Sequence, residues 1–289
     1  SIADSTGITP EAEILLDNCT INIEDLSYHK KMALNIRSRL NQKFKETKGI
    51  SSHNYLGDDI DLYNRISALY DKYEICGIIN KNSGEQNFDE FKSGYFMYSD
   101  KQNKIIIGDF YADYGFGSLL WKQFPVRKGS DIISPILKKG SGISAYRSTI
   151  DFAYFRGISS QTNFNLSDDF SIRLSGFYSA RKKSSTIDYD KNQVTSMYLS
   201  GYYRTESEIE KKDNLFEKAI SGNIELSSNF GLIFGATVLT LDYSLPINTN
   251  SSSQFSGKNG NLFSTYSQYR FSNNMIGAEL SFDANSNKF

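Results

Sequence analysis

The stretch Phe170-Ser171-Ile172-Arg173-Leu174-Ser175-Gly176-Phe177-Tyr178-Ser179-Ala180-Arg181 has a period of two. Phe170, Ile172, Leu174, Gly176, Tyr178 and Ala180 fall on one side. Ser171, Arg173, Ser175, Phe177, Ser179 and Arg181 fall on the other. Successive side chains of a β-strand point to opposite faces, so this is a strand with one apolar face and one polar, charged face. The same pattern recurs three times. Met32, Leu34, Ile36 and Leu40 oppose Ala33, Asn35, Arg37 and Arg39. Ile220, Gly222, Ile224 and Leu226 oppose Ser221, Asn223, Glu225 and Ser227. Ile276, Ala278, Leu280 and Phe282 oppose Gly277, Glu279, Ser281 and Asp283.

Less regular strands are expected near 61–70, 74–81, 91–99, 104–116, 152–164, 193–207, 230–243 and 262–271, about twelve in all. Turn signals separate them at Asn82-Ser83-Gly84, Asp100-Lys101-Gln102-Asn103, Asp168-Asp169, Ser227-Ser228-Asn229 and Ser272-Asn273-Asn274. Longer connections are expected at 47–60, 117–150, 182–192, 208–215 and 245–261. Short turns at one rim and long loops at the other are the asymmetry of an outer-membrane barrel. A soluble β-sandwich also alternates apolar and polar faces. The barrel is favoured because Arg, Asp and Glu stand mid-strand on the polar faces, as a hydrated lumen allows. The apolar faces mix Gly, Ala and Tyr with aliphatic residues, as lipid contact tolerates. The expected fold is therefore all-β, an antiparallel transmembrane β-barrel, with a short N-terminal helix at 10–18 opened by Thr9 and Pro10.

Composition agrees with this class. Tyr (19) and Phe (20) dominate the aromatics of the 289 residues, and Pro is scarce at four, which suits aromatic girdles and uninterrupted ladders. Charge is balanced, with 32 basic and 33 acidic residues, so no global field favours nucleic acid or an anionic surface. No apolar run is long enough for a transmembrane helix, and no signal peptide is recognisable. Cys19 and Cys76 form no metal-binding spacing and read as two small thiols. With only His29 and His53, neither a histidine metal site nor a catalytic triad is expected. No cofactor is expected.

One segment breaks the strand pattern. Residues 117–150 hold Lys122, Arg127, Lys128, Lys138, Lys139 and Arg147 against a single acid, Asp131. Gly129, Gly140, Gly142, Pro125 and Pro135 shape it as an ordered loop rather than a strand. It is read either as a solvated loop or as one folded into the barrel, presenting an anion-attracting patch. Asp109 and Asp113 share a face of the preceding strand, with Tyr111 between them. Paired carboxylates suit acid–base catalysis, but no nucleophile accompanies them. They are read, with Arg156 and Arg173, as lumen-lining charges. Arg204-Thr205-Glu206-Ser207-Glu208 is read as the polar end of a strand.

These segments carry a resemblance. Gly108-Asp109-Phe110, Tyr114-Gly115-Phe116-Gly117-Ser118-Leu119-Leu120-Trp121, Lys128-Gly129-Ser130-Asp131, Lys138-Lys139-Gly140-Ser141-Gly142-Ile143-Ser144-Ala145-Tyr146 and Tyr154-Phe155-Arg156-Gly157 follow in order. With Tyr55-Leu56-Gly57, Leu62-Tyr63-Asn64-Arg65, Ser83-Gly84-Glu85 and Tyr203-Arg204-Thr205-Glu206, this resembles large Bacteroidota/Chlorobi-type envelope proteins named for a helix-hairpin-helix domain. Tyr203 departs from the His common there. The resemblance implies that 1–28 is the tail of a helix-hairpin-helix region and that 29–289 belongs to an outer-membrane barrel continuing past Phe289. Asn285 and Asn287, which interrupt the alternation before Phe289, agree with a truncated end. Outer-membrane lipid is then the expected partner and the bacterial outer membrane the expected location. A pore, transport or structural role follows, and no enzymatic one. Two alternatives stand beside it: a DNA-binding or DNA-uptake role with an upstream helix-hairpin-helix module, a link by analogy only, and a soluble secreted all-β binding protein.

Overall fold

A computed structural model describes residues 32–43, 45, 47–122, 140–248, 255–272 and 274–285. The expected helix at 10–18 and the whole 1–28 region lie outside them. Fourteen strands are present among the described residues: β1 (Met32–Gln42), β2 (Ile60–Tyr70), β3 (Tyr73–Lys81), β4 (Phe91–Ser99), β5 (Asn103–Asp113), β6 (Gly142–Ala145), β7 (Phe155–Asn165), β8 (Phe170–Lys183), β9 (Ser185–Asp188), β10 (Gln193–Met197), β11 (Leu215–Ser228), β12 (Leu232–Ile247), β13 (Gly257–Phe271) and β14 (Asn274–Asp283). Two single-turn helices, α1 (Lys48–Ser51) and α2 (Glu206–Ile209), sit in connections.

The chain is all-β, and its core is one antiparallel meander: β1-β2-β3-β4-β5-β7-β8-β11-β12-β13-β14. The sheet does not close into a barrel. Among the described residues β1 pairs only with β2, and β14 only with β13. The β9–β10 hairpin joins β12 through one parallel pair, Val194 with Ile247.

Three local expectations are corrected. The 117–150 segment contains a strand, β6, because its backbone finds a partner in the end of β5. The strand expected over 193–207 stops at Met197. Arg204–Glu208 opens α2 instead of closing a strand: Thr205 accepts from the Glu208 amide, and the Glu208 side chain accepts from the Thr205 amide, a reciprocal capping box.

Connections alternate in length. Residues 71–72, 100–102, 166–169 and 229–231 turn tightly at one rim, where β13 also passes to β14; the longer connections, between strands ending and starting at 42 and 60, 81 and 91, 113 and 155, 183 and 215, and 247 and 257, lie at the other. Asn82-Ser83-Gly84 therefore opens a long-rim loop. That rim is knitted by Leu56 N–H to Arg204 O (2.8 Å), Gly57 N–H to Gly84 O (3.0 Å) and Tyr203 N–H to Glu85 Oε1 (3.1 Å). Burial pushes the Glu85 carboxyl above its ordinary range, against the hydrogen bonds it accepts from Asn82 and Tyr203.

The two faces of the sheet are reversed relative to a water-soluble protein. Ser159, Gln161, Ser179, Glu217, Ser221, Asn223, Thr237 and Ser264 are buried on the inner face. Ile66, Ile75, Phe96, Ile107, Ile158, Tyr178, Ile220, Ile224, Phe234, Val238 and Leu280 are exposed on the outer one. Register explains how this persists. Ile107 opposes Ile158, Ile158 opposes Tyr178, Tyr178 opposes Ile220, and Ile224 opposes Ala236. Directly opposed residues share a face, so one ladder transmits the pattern to the next.

β5 parts from β4 at Gly108 and from β7 at Phe110. At Gly108, φ is +109°, and a Cβ there would collide with Gly94 O and the Tyr95 backbone. Only glycine fits both conditions. Gly108→Ala is expected to cost about 1–3 kcal/mol through this strained, crowded backbone. A lowered urea midpoint of the folded chain would register it, and an unchanged midpoint would contradict it.

Candidate functional site

Beyond Gly108, β5 and β6 form a hairpin that lies on the inner face of the sheet. Lys104 Nζ, near the start of β5, donates to Ile143 O at 3.1 Å, so β6 passes back across its own partner strand. Ile143 N–H donates to Gln161 Oε1 of β7 at 3.0 Å. Gly142, with φ +74°, presses against the same amide.

The bend is fixed by Asp109, which is fully buried. Its carboxylate accepts from Arg156 Nε at 2.6 Å and Nη2 at 2.9 Å, and from the Gly94 amide at 3.0 Å. Its own carbonyl accepts from Tyr146 N–H at 3.0 Å. One residue thus ties β4, β7 and the returning segment together. The two-pronged guanidinium contact holds the carboxylate in one orientation.

The inserted segment is held at both flanks. Toward β14, Glu279 Oε2 accepts from Phe116 N–H at 2.8 Å and Ser118 N–H at 3.2 Å, while Ser264 donates to Glu279 Oε1 at 2.7 Å. Ser118 and Ser281 are also hydrogen-bonded. Toward β3 and β4, Arg147 contacts both Glu74 oxygens, at 2.8 and 2.6 Å, and donates to Tyr95 OH at 2.7 Å. The sheet curves around this segment, which fills its concavity with the buried Phe110, Tyr114, Leu120, Ile143 and Tyr146.

A cavity of about 440 Å³ remains between the hairpin and the inner face of β4–β5. Lys104, Lys122, Arg147, Tyr111, Ser144 and Ser148 give it polar groups; Met97 and Ala145 give it apolar wall. Lys122 stands 5.1 Å from the Tyr111 ring centroid, and its Nζ is 3.4 Å from Ser144 Oγ. Burial holds the Lys122 ammonium below its ordinary range, with Asp113 acting in the opposite sense. Cations, hydroxyls and an aromatic edge suit the holding of an anionic group.

The candidates from sequence separate accordingly. Lys122 and Arg147 turn inward and meet at this cavity. Arg127, Lys128, Lys138 and Lys139 lie outside the described residues. Asp109 and Asp113 part company: Asp109 binds Arg156 at the bend, and Asp113 accepts from Ser141 N–H and Oγ, at 3.3 and 3.2 Å. Arg173 pairs with Glu225 at 2.7 Å on the inner face of β8 and β11. Cys76 is buried on β3 as a free thiol, and Cys19 is outside the described residues. Sequence reasoning missed Lys104, Glu74, Tyr95, Gln161 and Glu279. Each stands on a strand face, and only the pairing of strands distant in sequence brings them together.

Compared with known proteins, the chain matches no family model, no curated protein and no solved structure.

Two substitutions probe the arrangement. Asp109→Asn is expected to cost on the order of 2–3 kcal/mol by urea titration. That is less than for a fully buried ion pair, because the Arg156 side chain is 46% exposed. Glu279→Ala is expected to release residues 116–118 and shift the emission of Trp121 to the red; an unshifted spectrum would contradict the clasp.

Proposed function

We propose that this chain forms part of the wall of an outer-membrane β-barrel, with residues 114–122 and 140–148 obstructing its lumen, and that it serves in solute passage or in the structure of the envelope. The observation that carries this is the reversal of faces. Transfer of apolar surface out of water is favourable by about 1.5–3 kcal/mol per large side chain. A continuous outer band of exposed Ile, Leu, Val and Phe therefore calls for an apolar medium. A sandwich would bury that band under a second sheet, and none covers it among the described residues.

The dimensions agree. Phe170 to Ala180 is ten residue steps, roughly 33 Å along the strand. Tilted by about 40°, it spans about 25 Å, the height of a lipid-facing band. At the short-turn rim the aromatics gather: Tyr73 with Phe96 and Tyr98, Phe170 with Phe230, and Tyr269 with Phe271. The three tyrosines among them, with an apolar body and a polar tip, suit the membrane–water boundary, and the phenylalanines extend the apolar side of it. No helix among the described residues is long and apolar enough to cross a membrane, so any crossing is by strands. The inward turn of Lys122 and Arg147 supports a solute in the lumen rather than nucleic acid at the surface.

The chain is expected in the outer-membrane fraction and to leave it only with detergent. Recovery as a soluble species without detergent would overturn the proposal. Leu174→Arg, in the middle of the outer band, is expected to weaken folding into lipid vesicles by about 2–4 kcal/mol. Ser175→Arg, on the opposite face, should not show this lipid-specific penalty.

A further inference from the structure

We propose that the 440 Å³ cavity beneath the inserted hairpin is a binding site for a small organic carboxylate, with Lys104 as its principal charge contact. Lys104 rises from the inner face of β5, and its one hydrogen bond goes to a neutral carbonyl, Ile143 O. It has no ion-pair partner among the described residues, and the charge that acts on it is another cation, Arg173. Lys122 and Lys104 also repel each other across the cavity. The carboxylates nearby are engaged elsewhere. Glu74 is held by Arg147 and Tyr95, and Asp113 by Ser141. A half-buried ammonium that faces a cavity and finds no carboxylate among the described residues, as Lys104 does, is stabilised by an anion that enters it.

The walls select the kind of anion. Met97, Ala145 and the Tyr111 ring offer contact to a short apolar body, while Ser144 and Arg147 offer further donors near the charge. The volume lies within the range of small-molecule sites. An inorganic anion would satisfy the lysines and leave the apolar wall unused. A carboxylate carrying a few carbons satisfies both. The site needs only the hairpin and β4–β5, so it stands whether or not the convex face meets lipid.

Trp121 is the only tryptophan in the chain; it precedes Lys122 and lines an adjoining cavity that shares Tyr111 with this one, so its fluorescence reports on the site through Tyr111 and Lys122. The experiment titrates the detergent-folded full chain with butyrate, butyramide and inorganic phosphate. Butyrate is expected to change Trp121 emission saturably, with butyramide and phosphate at least about tenfold weaker, the loss of one charge-assisted contact or of the apolar one. Lys104→Gln is expected to weaken butyrate by about tenfold and Lys104→Arg to restore most of it, both with unchanged far-ultraviolet circular dichroism. Equal response to butyramide, or an unaltered butyrate response in a folded Lys104→Gln, overturns the site. Phosphate binding as tightly as butyrate overturns the organic carboxylate. Should Lys104→Gln fail to fold, Met97→Gln decides. It is expected to weaken butyrate and leave phosphate unchanged, and an unchanged butyrate affinity overturns the apolar wall. Soluble behaviour without detergent would contradict the membrane proposal and leave this titration intact.

Discussion

Strand pairing with a period of two means that a slip of one residue moves every side chain of a strand to the opposite face. In this chain the ladder runs without a slip from Phe170–Lys183 through Leu215–Ser228 into Leu232–Ile247. Ser175, Asn223 and Thr237 are thereby kept on one side, and Leu174, Ile224 and Ala236 on the other. Everything else depends on that register. It gathers the polar side chains on the concave face, where they must satisfy one another: Arg173 with Glu225, Lys183 with Glu217, and Asn223 with Tyr266. It also leaves the apolar residues on the convex face exposed, with no second sheet over them among the described residues.

A concave polar surface of this width needs filling, and the chain fills it with itself. The departure of β5 at Gly108 is stabilised by the Asp109 carboxylate, whose partners lie on the two neighbouring strands. The returning segment then reaches Glu279 on one flank and Glu74 on the other. These are charge-assisted contacts whose carboxylates at Glu74 and Asp109 are largely buried while the Arg147 and Arg156 side chains stay about half exposed, so solvent screens part of their strength. The segment richest in positive charge by sequence accordingly contributes Lys122 and Arg147 to the interior, where they frame the cavity with Lys104.

Legibility in the sequence followed the range of the interactions. Strands such as 91–99 and 170–181 were readable because alternation is local, and β4 has the expected bounds. The two faces were readable for the same reason. The alternation said nothing of the open edges at β1 and β14, since closure depends on partners and not on pattern; only the resemblance pointed to an incomplete wall. β6 was hidden because Gly142-Ile143-Ser144-Ala145 is short and glycine-led, and its strand character comes wholly from pairing with Phe110–Asp113. Lys122 and Arg147 stood out by composition, whereas Lys104 looked like one more polar residue on an alternating strand. Tyr203 was visible only as a departure from a motif. Its contacts to Asp151 and Ser184, both 2.6 Å, join loops far apart in sequence.

The reversal of faces is tested most directly on β8. Single cysteines placed in turn from residue 172 to residue 179, with Cys19 and Cys76 replaced by serine, would carry a small fluorophore into vesicles made with brominated lipid. Quenching is expected at positions 172, 174, 176 and 178 and absent at 173, 175, 177 and 179. Equal quenching at both sets, or none at either, would contradict an inside-out wall.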